Sequence, residues 1–220
     1  MTQASRHPST LPDSTRALFD EYLPRIMQCR LEDLAVETPV QEMPALSERL
    51  GIRVLIKRED LQPVFSFKLR GAYNKIARLP DEDVAGGVIC SSAGNHAQGV
   101  ALAAQRRGVR AVIVMPVTTP SIKIEAVARL GGEVVLHGDN YDEAYAHARQ
   151  LETEHGYFFV HPFDDPDVIA GQGTIGLELL EQSGGEIDSV FVPIGGVRGT
   201  QENGVRLLGA GHKVLTYPGG

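Results

Sequence analysis

The sequence has little of what marks secreted, metal-binding or membrane proteins. It contains two cysteines, Cys29 and Cys90, no tryptophan, and no apolar run as long as a membrane span. Neither cysteine stands in a metal-spacing motif, and the seven histidines show no pair at ligand spacing, so we expect free thiols in a reducing compartment and no metal site. The net charge of −7 without a basic stripe argues against nucleic-acid and membrane partners. These absences favour a cytoplasmic protein.

The residues that are present predict a folded α/β protein, with 42% apolar and 22% charged residues. Residues 1–14 are expected to be disordered, and a helix over 15–28 is expected to break at Pro24. Beyond Arg53, strands and helices alternate, which predicts parallel βα units in a doubly wound sheet. The predicted strands are 54–56, 87–90, 111–115, 133–136, 157–160 and 189–193, and the predicted helices are 69–79, 95–107, 121–130, 141–155 and 168–182.

Lys68 stands in the run Ser-Phe-Lys-Leu-Arg-Gly-Ala and is the first candidate for chemistry. Apolar residues follow it at helical spacing, namely Leu69, Ala72, Tyr73 and Ile76. Lys68 is therefore predicted to lie at the N-terminus of an amphipathic helix, where partial burial and the positive end of the helix dipole lower its pKa. A Schiff-base lysine needs that environment. The alternative is a surface lysine that caps a helix.

A second run, Ser92-Ala93-Gly94-Asn95-His96, follows a predicted strand and opens the next helix. A strand-to-helix turn with glycine presents free backbone N–H groups, which suit an anion. The alternative is that Ser92 and Asn95 only cap the helix. His96 is expected to pack or hydrogen-bond locally.

Together these runs resemble the fold-type II pyridoxal-phosphate (PLP) enzymes, and most closely the biosynthetic threonine dehydratases (threonine ammonia-lyases). The order and spacing of the motifs are those of that family. The matching stretches are 57–76, 91–100, 111–136 and 168–193. The resemblance implies a tryptophan-synthase-β-like α/β fold with doubly wound parallel sheets in two lobes. Residues 61–161 would form a small inserted domain, and 15–60 with 162–196 an incomplete large PLP domain.

The resemblance also implies roles for the candidate residues. Lys68 would bind PLP covalently and then remove the Cα proton of L-threonine as general base, giving 2-oxobutanoate and ammonia for isoleucine biosynthesis. Asn95 would hydrogen-bond the 3′-hydroxyl of PLP. The substrate carboxylate would be held by Ser92, Ala93, Gly94 and Asn95, and the PLP phosphate by the backbone of Gly195 and Gly196. A homo-oligomer acting on L-threonine or L-serine is implied.

The resemblance stops after Gly196, where Val197 and Arg198 replace further glycines of the family. Residues 197–220 show no periodicity and are predicted to be a non-family tail, as in a truncated or frameshifted reading frame. We therefore expect little dehydratase activity from this chain. Two alternatives stay open: a serine dehydratase or serine racemase of the same fold, and a catalytically dead fragment or partner-binding module.

Three further runs receive structural interpretations. Residues 57–60 (Lys-Arg-Glu-Asp) are predicted to be a solvated charged run, although the family that the sequence resembles keeps a similar run near the cofactor. Residues 172–174 are predicted to pack a helix against the sheet. Residues 161–164 (His-Pro-Phe-Asp) are predicted to be a loop that crosses between lobes.

Overall fold

The computed structural model describes residues 13–29, 31, 33–194 and 213–218. Its helices are α1 (Asp13–Met27), α2 (Pro44–Leu50), α3 (Lys68–Arg78), α4 (Asp81–Val84), α5 (Asn95–Arg107), α6 (Ser121–Arg129), α7 (Tyr141–His155) and α8 (Pro166–Gln182), with a 3-10 turn over Glu59–Leu61. Its strands are β1 (Val40–Glu42), β2 (Leu55–Lys57), β3 (Val88–Ser91), β4 (Ala111–Met115), β5 (Glu133–Leu136), β6 (Phe158–Phe159), β7 (Ser189–Ile194) and β8 (Lys213–Pro218).

Four of the strands form a parallel sheet in the order β5-β4-β3-β6. Side chains of successive strand residues enter different cores, as the two-residue period of a strand requires. Cys90 and Ile113 pack with α3 and α5 on one face, while Ile89 and Val112 pack with α7 on the other. The sheet is therefore covered by helices on both faces, and the predicted doubly wound α/β class is confirmed.

The order of the strands creates a switch point between β3 and β6. From β3 the chain adds β4 and β5 on one side, and it then returns to place β6 on the other side of β3. Parallel α/β sheets bind ligands in a crevice at the carboxyl ends of the strands that flank such a switch point, so we expect a crevice at the ends of β3 and β6. The loops at residues 92–95 and 161–164 leave those ends and would flank this crevice.

Helix α8 packs against both α1 and α3, and glycine allows the close approach. A Cβ on Gly71 would lie 2.7 Å from the carbonyl oxygen of Val168, and one on Gly173 would lie 2.6 Å from Ile26 Cδ1. The residues 172–174 therefore lie in a contact between helices, and the prediction that they pack on a sheet is wrong. Helix α1 is continuous through Pro24, because burial of residues such as Ile26 against α8 offsets the lost hydrogen bond.

Two smaller sheets complete the described structure. Strands β1 and β2 pair antiparallel, with Val40 opposite Lys57. Strands β7 and β8 pair parallel, with Ser189 opposite Lys213. The expectation of no strand in the tail is wrong for 213–218, since backbone pairing with β7 supplies what the local pattern does not indicate. Helix α1 already begins at Asp13, and the disorder predicted for residues 1–12 lies outside the described residues.

The division into two lobes remains a prediction. Among the helices that the structure describes, none is both long enough and apolar enough to cross a membrane.

Candidate active site

Lys68 is the first residue of α3, as the apolar spacing predicts. The helix begins there because Leu69, Ala72 and Ile76 are fully buried on one face. The preceding loop is tightly constrained: Phe65 has a φ of 56°, in the left-handed region, and Ser66 Oγ accepts a 3.2 Å hydrogen bond from the Lys68 amide. An aromatic residue rarely adopts that φ, so the loop that leads into Lys68 is strained.

The amine of Lys68 is mostly removed from water. Its Nζ donates a 3.0 Å hydrogen bond to the carbonyl oxygen of Pro162 and lies 5.5 Å from the centre of the Phe67 ring. Burial lowers the pKa of Lys68 to about 8. Roughly one amine in ten is then neutral at pH 7, far more than for an exposed lysine. The predicted burial is confirmed, and the alternative of a solvated capping lysine is wrong.

The loop at residues 92–95 carries the second group of candidates. It leaves β3 at Ser91, and α5 begins at Asn95. Gly94 is the N-cap of α5 and no side chain caps this helix, while Ser92 Oγ accepts a 3.2 Å hydrogen bond from the Gly94 amide. The capping alternative for Ser92 and Asn95 is therefore wrong. The first amides of α5 lack intrahelical partners, so they are available to an anion together with the exposed Asn95 side chain.

His96 has a local structural role, as predicted. Its ring is buried, and Nε2 lies 3.0 Å from the carbonyl oxygen of Val160. A carbonyl only accepts, so Nε2 carries the proton and Nδ1 does not. Burial lowers the pKa of His96 to about 4, which keeps the ring neutral near pH 7.

The segment after β6 joins the two candidate runs. Val160 accepts from His96 on α5, and Pro162, two residues later, accepts from Lys68 on α3. Close packing of the two helices adds to this, because a Cβ on Gly99 would lie 3.2 Å from the Lys68 carbonyl oxygen. Residues 160–162 are thus a wall of the site. The interpretation of 161–164 as only a crossing loop missed this contact, which depends on β6 lying beside β3.

A buried ionic network anchors the start of α3. Arg70, which is 1% exposed, donates to the carboxylates of Glu59 and Glu178, and Lys57 donates to Glu178 and to the Thr38 carbonyl. The prediction of a solvated run at 57–60 is wrong for Lys57 and Glu59, because Lys57 pairs with Glu178 on α8 and Glu59 pairs with Arg70 on α3. Arg58 and Asp60 do form an exposed pair. Sequence spacing gives no signal for a partner so distant along the chain.

The residues at this site fit a phosphorylated aldehyde such as PLP. A buried amine with a lowered pKa can attack an aldehyde, and the Asn95 end of α5 can accept an anion or a hydroxyl. A Cβ placed on Gly94 would meet no atom within 4 Å, so open space adjoins the loop. Gly195 and Gly196 lie outside the described residues. Among the described side chains, no group of three or more His, Cys, Asp or Glu could hold a metal ion.

Comparison with known proteins gives relatives along most of the chain. The family model described as pyridoxal-phosphate dependent enzyme matches residues 31–201. Threonine dehydratase 1 biosynthetic, chloroplastic, of Solanum lycopersicum is 61% identical over 176 residues, which are 80% of this chain and 29% of that protein. A biosynthetic L-threonine dehydratase of Burkholderia multivorans is 58% identical over 179 residues, 80% of this chain and 35% of the relative. The chain spans about a third of the length of these curated relatives.

Solved structures share the fold. The processed form of threonine deaminase isoform 2 from Solanum lycopersicum has a TM-score of 0.81 and 46% identity, covering 91% of this chain and 61% of that chain. Maize serine racemase has a TM-score of 0.82 and 35% identity, covering 90% of this chain and 60% of the racemase chain. The family match extends over most of the sequence and includes Lys68 and Asn95. The chain therefore belongs to the family of pyridoxal-phosphate dependent enzymes.

Proposed function

We propose that the protein is a PLP-dependent threonine ammonia-lyase, which converts L-threonine to 2-oxobutanoate and ammonia. The observation that carries the proposal is the buried amine of Lys68, held at the start of α3 beside the crevice that the 92–95 loop flanks. PLP, when bound, supplies an aldehyde that condenses with amines and a ring that withdraws electrons from Cα.

In this proposal, Lys68 moves the proton. Its side chain is the buried amine at the crevice, and its low pKa gives a substantial neutral population near pH 7. A neutral amine can take the Cα proton of the substrate, which an ammonium cannot. The resulting ammonium can donate to the Pro162 carbonyl oxygen, which already accepts from Nζ at 3.0 Å.

The 92–95 loop would bind and orient the substrate. The N-terminal amides of α5 and the Ser92 and Asn95 side chains suit the carboxylate of an amino acid. Asn95 would also hydrogen-bond the 3′-hydroxyl of PLP, and the backbone of Gly195 and Gly196 would hold its phosphate. A Cβ on Gly94 would meet no atom within 4 Å, which leaves room for a ligand against the loop. Burial of the neighbouring wall at Val160 restricts water at this end of the crevice.

Threonine is proposed as the substrate in preference to serine. The solved threonine deaminase is 46% identical to this chain, whereas the serine racemase is 35% identical. Serine racemase has the same fold, so serine dehydration or racemisation is the alternative. The proposal further includes a role in isoleucine biosynthesis, a cytoplasmic location and a homo-oligomeric assembly. The word "biosynthetic" in the names of the relatives supports the role in biosynthesis.

One assay separates these possibilities. The purified protein with excess PLP should develop visible absorbance that changes when L-threonine is added, but it should release little ammonia, because Val197 and Arg198 replace glycines of the family's phosphate-binding run. A form restored to the length of the curated relatives should release 2-oxobutanoate and ammonia. Serine should react more slowly, giving pyruvate. Lys68→Ala should abolish turnover. Racemisation of serine without ammonia release would favour a racemase, and the lack of any visible absorbance with PLP would favour a partner-binding module.

A further inference from the structure

The turn at residues 161–164 is organised around one ring nitrogen. Nδ1 of His161 accepts hydrogen bonds from two backbone amides, that of Asp164 at 2.7 Å and that of Phe163 at 3.3 Å. The Phe163 ring packs edge-on against the imidazole, with 4.7 Å between the ring centres. Both contacts fold the turn back onto the His161 side chain.

The same turn presents the acceptor for the Lys68 amine. Pro162 lies between His161 and Phe163, and its carbonyl oxygen is 3.0 Å from Lys68 Nζ. Proline lacks an N–H group and has a fixed φ, so the direction of this carbonyl depends on how the residues on each side are held. The turn on either side of Pro162 is held by the hydrogen bonds from the Phe163 and Asp164 amides to His161 Nδ1.

We propose that His161 is a positioning residue for Lys68: its unprotonated Nδ1 holds the 161–164 turn, which directs the Pro162 carbonyl at the Lys68 amine. The inference rests on the proposed function only in giving Lys68 the central chemical role. His161 touches neither reacting atoms nor cofactor in this scheme and acts through the turn alone.

The protonation state of His161 sets whether the turn can form. Backbone amides donate, so Nδ1 must be free of a proton, and the neutral ring carries its proton on Nε2. Protonation of Nδ1 would place an N–H group against the Phe163 and Asp164 amide N–H groups, and both hydrogen bonds would break. Burial lowers the pKa of His161. The carboxylates of Asp164 and Asp165 raise this pKa, and the cations of Arg149 and Lys68 lower it further. The turn is therefore intact near neutral pH and opens on acidification below pH 6.5, which is the ordinary pKa of a histidine.

A matched pair of substitutions separates the ring from its acceptor. His161→Asn retains an acceptor, since Asn Oδ1 occupies about the position of His Nδ1, but it loses the ring and cannot titrate. His161→Phe retains an aromatic ring against Phe163 and loses the acceptor. A role in packing alone predicts that Asn is the worse replacement, whereas the positioning role predicts that Phe is.

The first measurement is the titration of the Lys68 amine in the full chain after removal of any cofactor with hydroxylamine. Competitive labelling with trace acetic anhydride from pH 6 to 11, read by peptide mass spectrometry, gives a midpoint for each lysine. Lys68 in His161→Phe should titrate about one to two pH units lower than in the wild type, because its ammonium loses a hydrogen-bond acceptor. In His161→Asn it should titrate as in the wild type. Lys75 and Lys123 should not move in either variant.

An unchanged Lys68 midpoint in His161→Phe would overturn the proposal, as would equal shifts in both variants. A parallel shift of Lys75, which pairs from α3 with Asp165 and Asp167 at the start of α8, would also overturn it. If His161→Phe does not fold, hydrogen exchange decides. Protection of the Phe163 and Asp164 amides, corrected for intrinsic rates, should fall with acidification below pH 6.5 in the wild type and stay constant in His161→Asn. Equal pH dependence in both would also overturn it. Neither measurement involves PLP or threonine, so failure of the proposed activity is distinguishable.

Discussion

Glu178 on α8 accepts a 2.9 Å hydrogen bond from Nη2 of Arg70 on α3, two residues beyond Lys68. The same guanidinium donates to Glu59, and Lys57 donates to the same oxygen, Oε2 of Glu178. Two cations and two carboxylates thus neutralise one another in a largely buried cluster. Because Arg70 belongs to the first turn of α3, the cluster fixes the direction in which that helix, and hence Lys68, begins.

Arg70→Met should therefore destabilise the protein strongly. It removes the partner of two buried carboxylates, which costs about 3–5 kcal/mol of unfolding free energy. Urea unfolding followed by circular dichroism measures the change. Arg58→Met is the matched control, because Arg58 pairs with Asp60 at the surface, and it should unfold like the wild type. Equal stability of the two variants would show that the cluster contributes nothing to the fold.

Lys68 should make the free energy of unfolding depend on pH in the alkaline range. Its pKa is about 8 in the folded protein and 10.5 when unfolded, so the unfolded chain binds more protons between these values and stability rises with pH across that window. Below pH 8 the buried ammonium is penalised in full, by about 3 kcal/mol.

Lys68→Met removes this titration. The variant should be more stable than the wild type at pH 7, and its advantage should shrink as pH rises from 8 to 10.5. Urea unfolding at a series of pH values measures the difference, with Lys123→Met as the control for loss of an exposed lysine. A constant difference across the window would contradict the burial of the amine.

His96 should make the free energy of unfolding depend on pH in the acidic range. Its folded pKa of about 4 is below the ordinary 6.5, so its contribution to stability is present above 6.5 and is lost as pH falls toward 4. His96→Gln keeps a donor for the Val160 carbonyl and cannot titrate. Between pH 6.5 and 4 the wild type should lose about 3 kcal/mol more unfolding free energy than this variant. His155→Gln at the exposed end of α7 is the control, and parallel acid limbs for wild type and His96→Gln would refute the account of His96.

The parts of the fold that local pattern determines could be predicted from the sequence. Helix α5 and strand β4 have the predicted bounds because apolar period and terminal signals agree there. Gly108 and Gly156 end α5 and α7 in the left-handed conformation that glycine adopts without steric cost. Lys68 falls at the first residue of α3 for the same reason.

Features that depend on distant partners were missed. Lys57 and Glu59 look solvated within their own run, but Lys57 pairs with Glu178 on α8 and Glu59 pairs with Arg70 on α3. Likewise, the contact of Pro162 with Lys68 requires β6 to pair with β3, which no short motif encodes. Strand β8 is fixed by pairing with β7 rather than by its own pattern.

Reductive trapping of the cofactor identifies the lysine that binds PLP. The purified protein is incubated with PLP, reduced with borohydride and digested, and the modified peptide is sequenced by mass spectrometry. The adduct is expected on Lys68, because its amine combines burial, a pKa of about 8 and a place against the 160–162 segment, which also contacts α5. Lys57 and Lys75 are held in ion pairs, and Lys123 is exposed on α6. An adduct on Lys57, Lys75 or Lys123 with Lys68 unmodified would contradict this expectation.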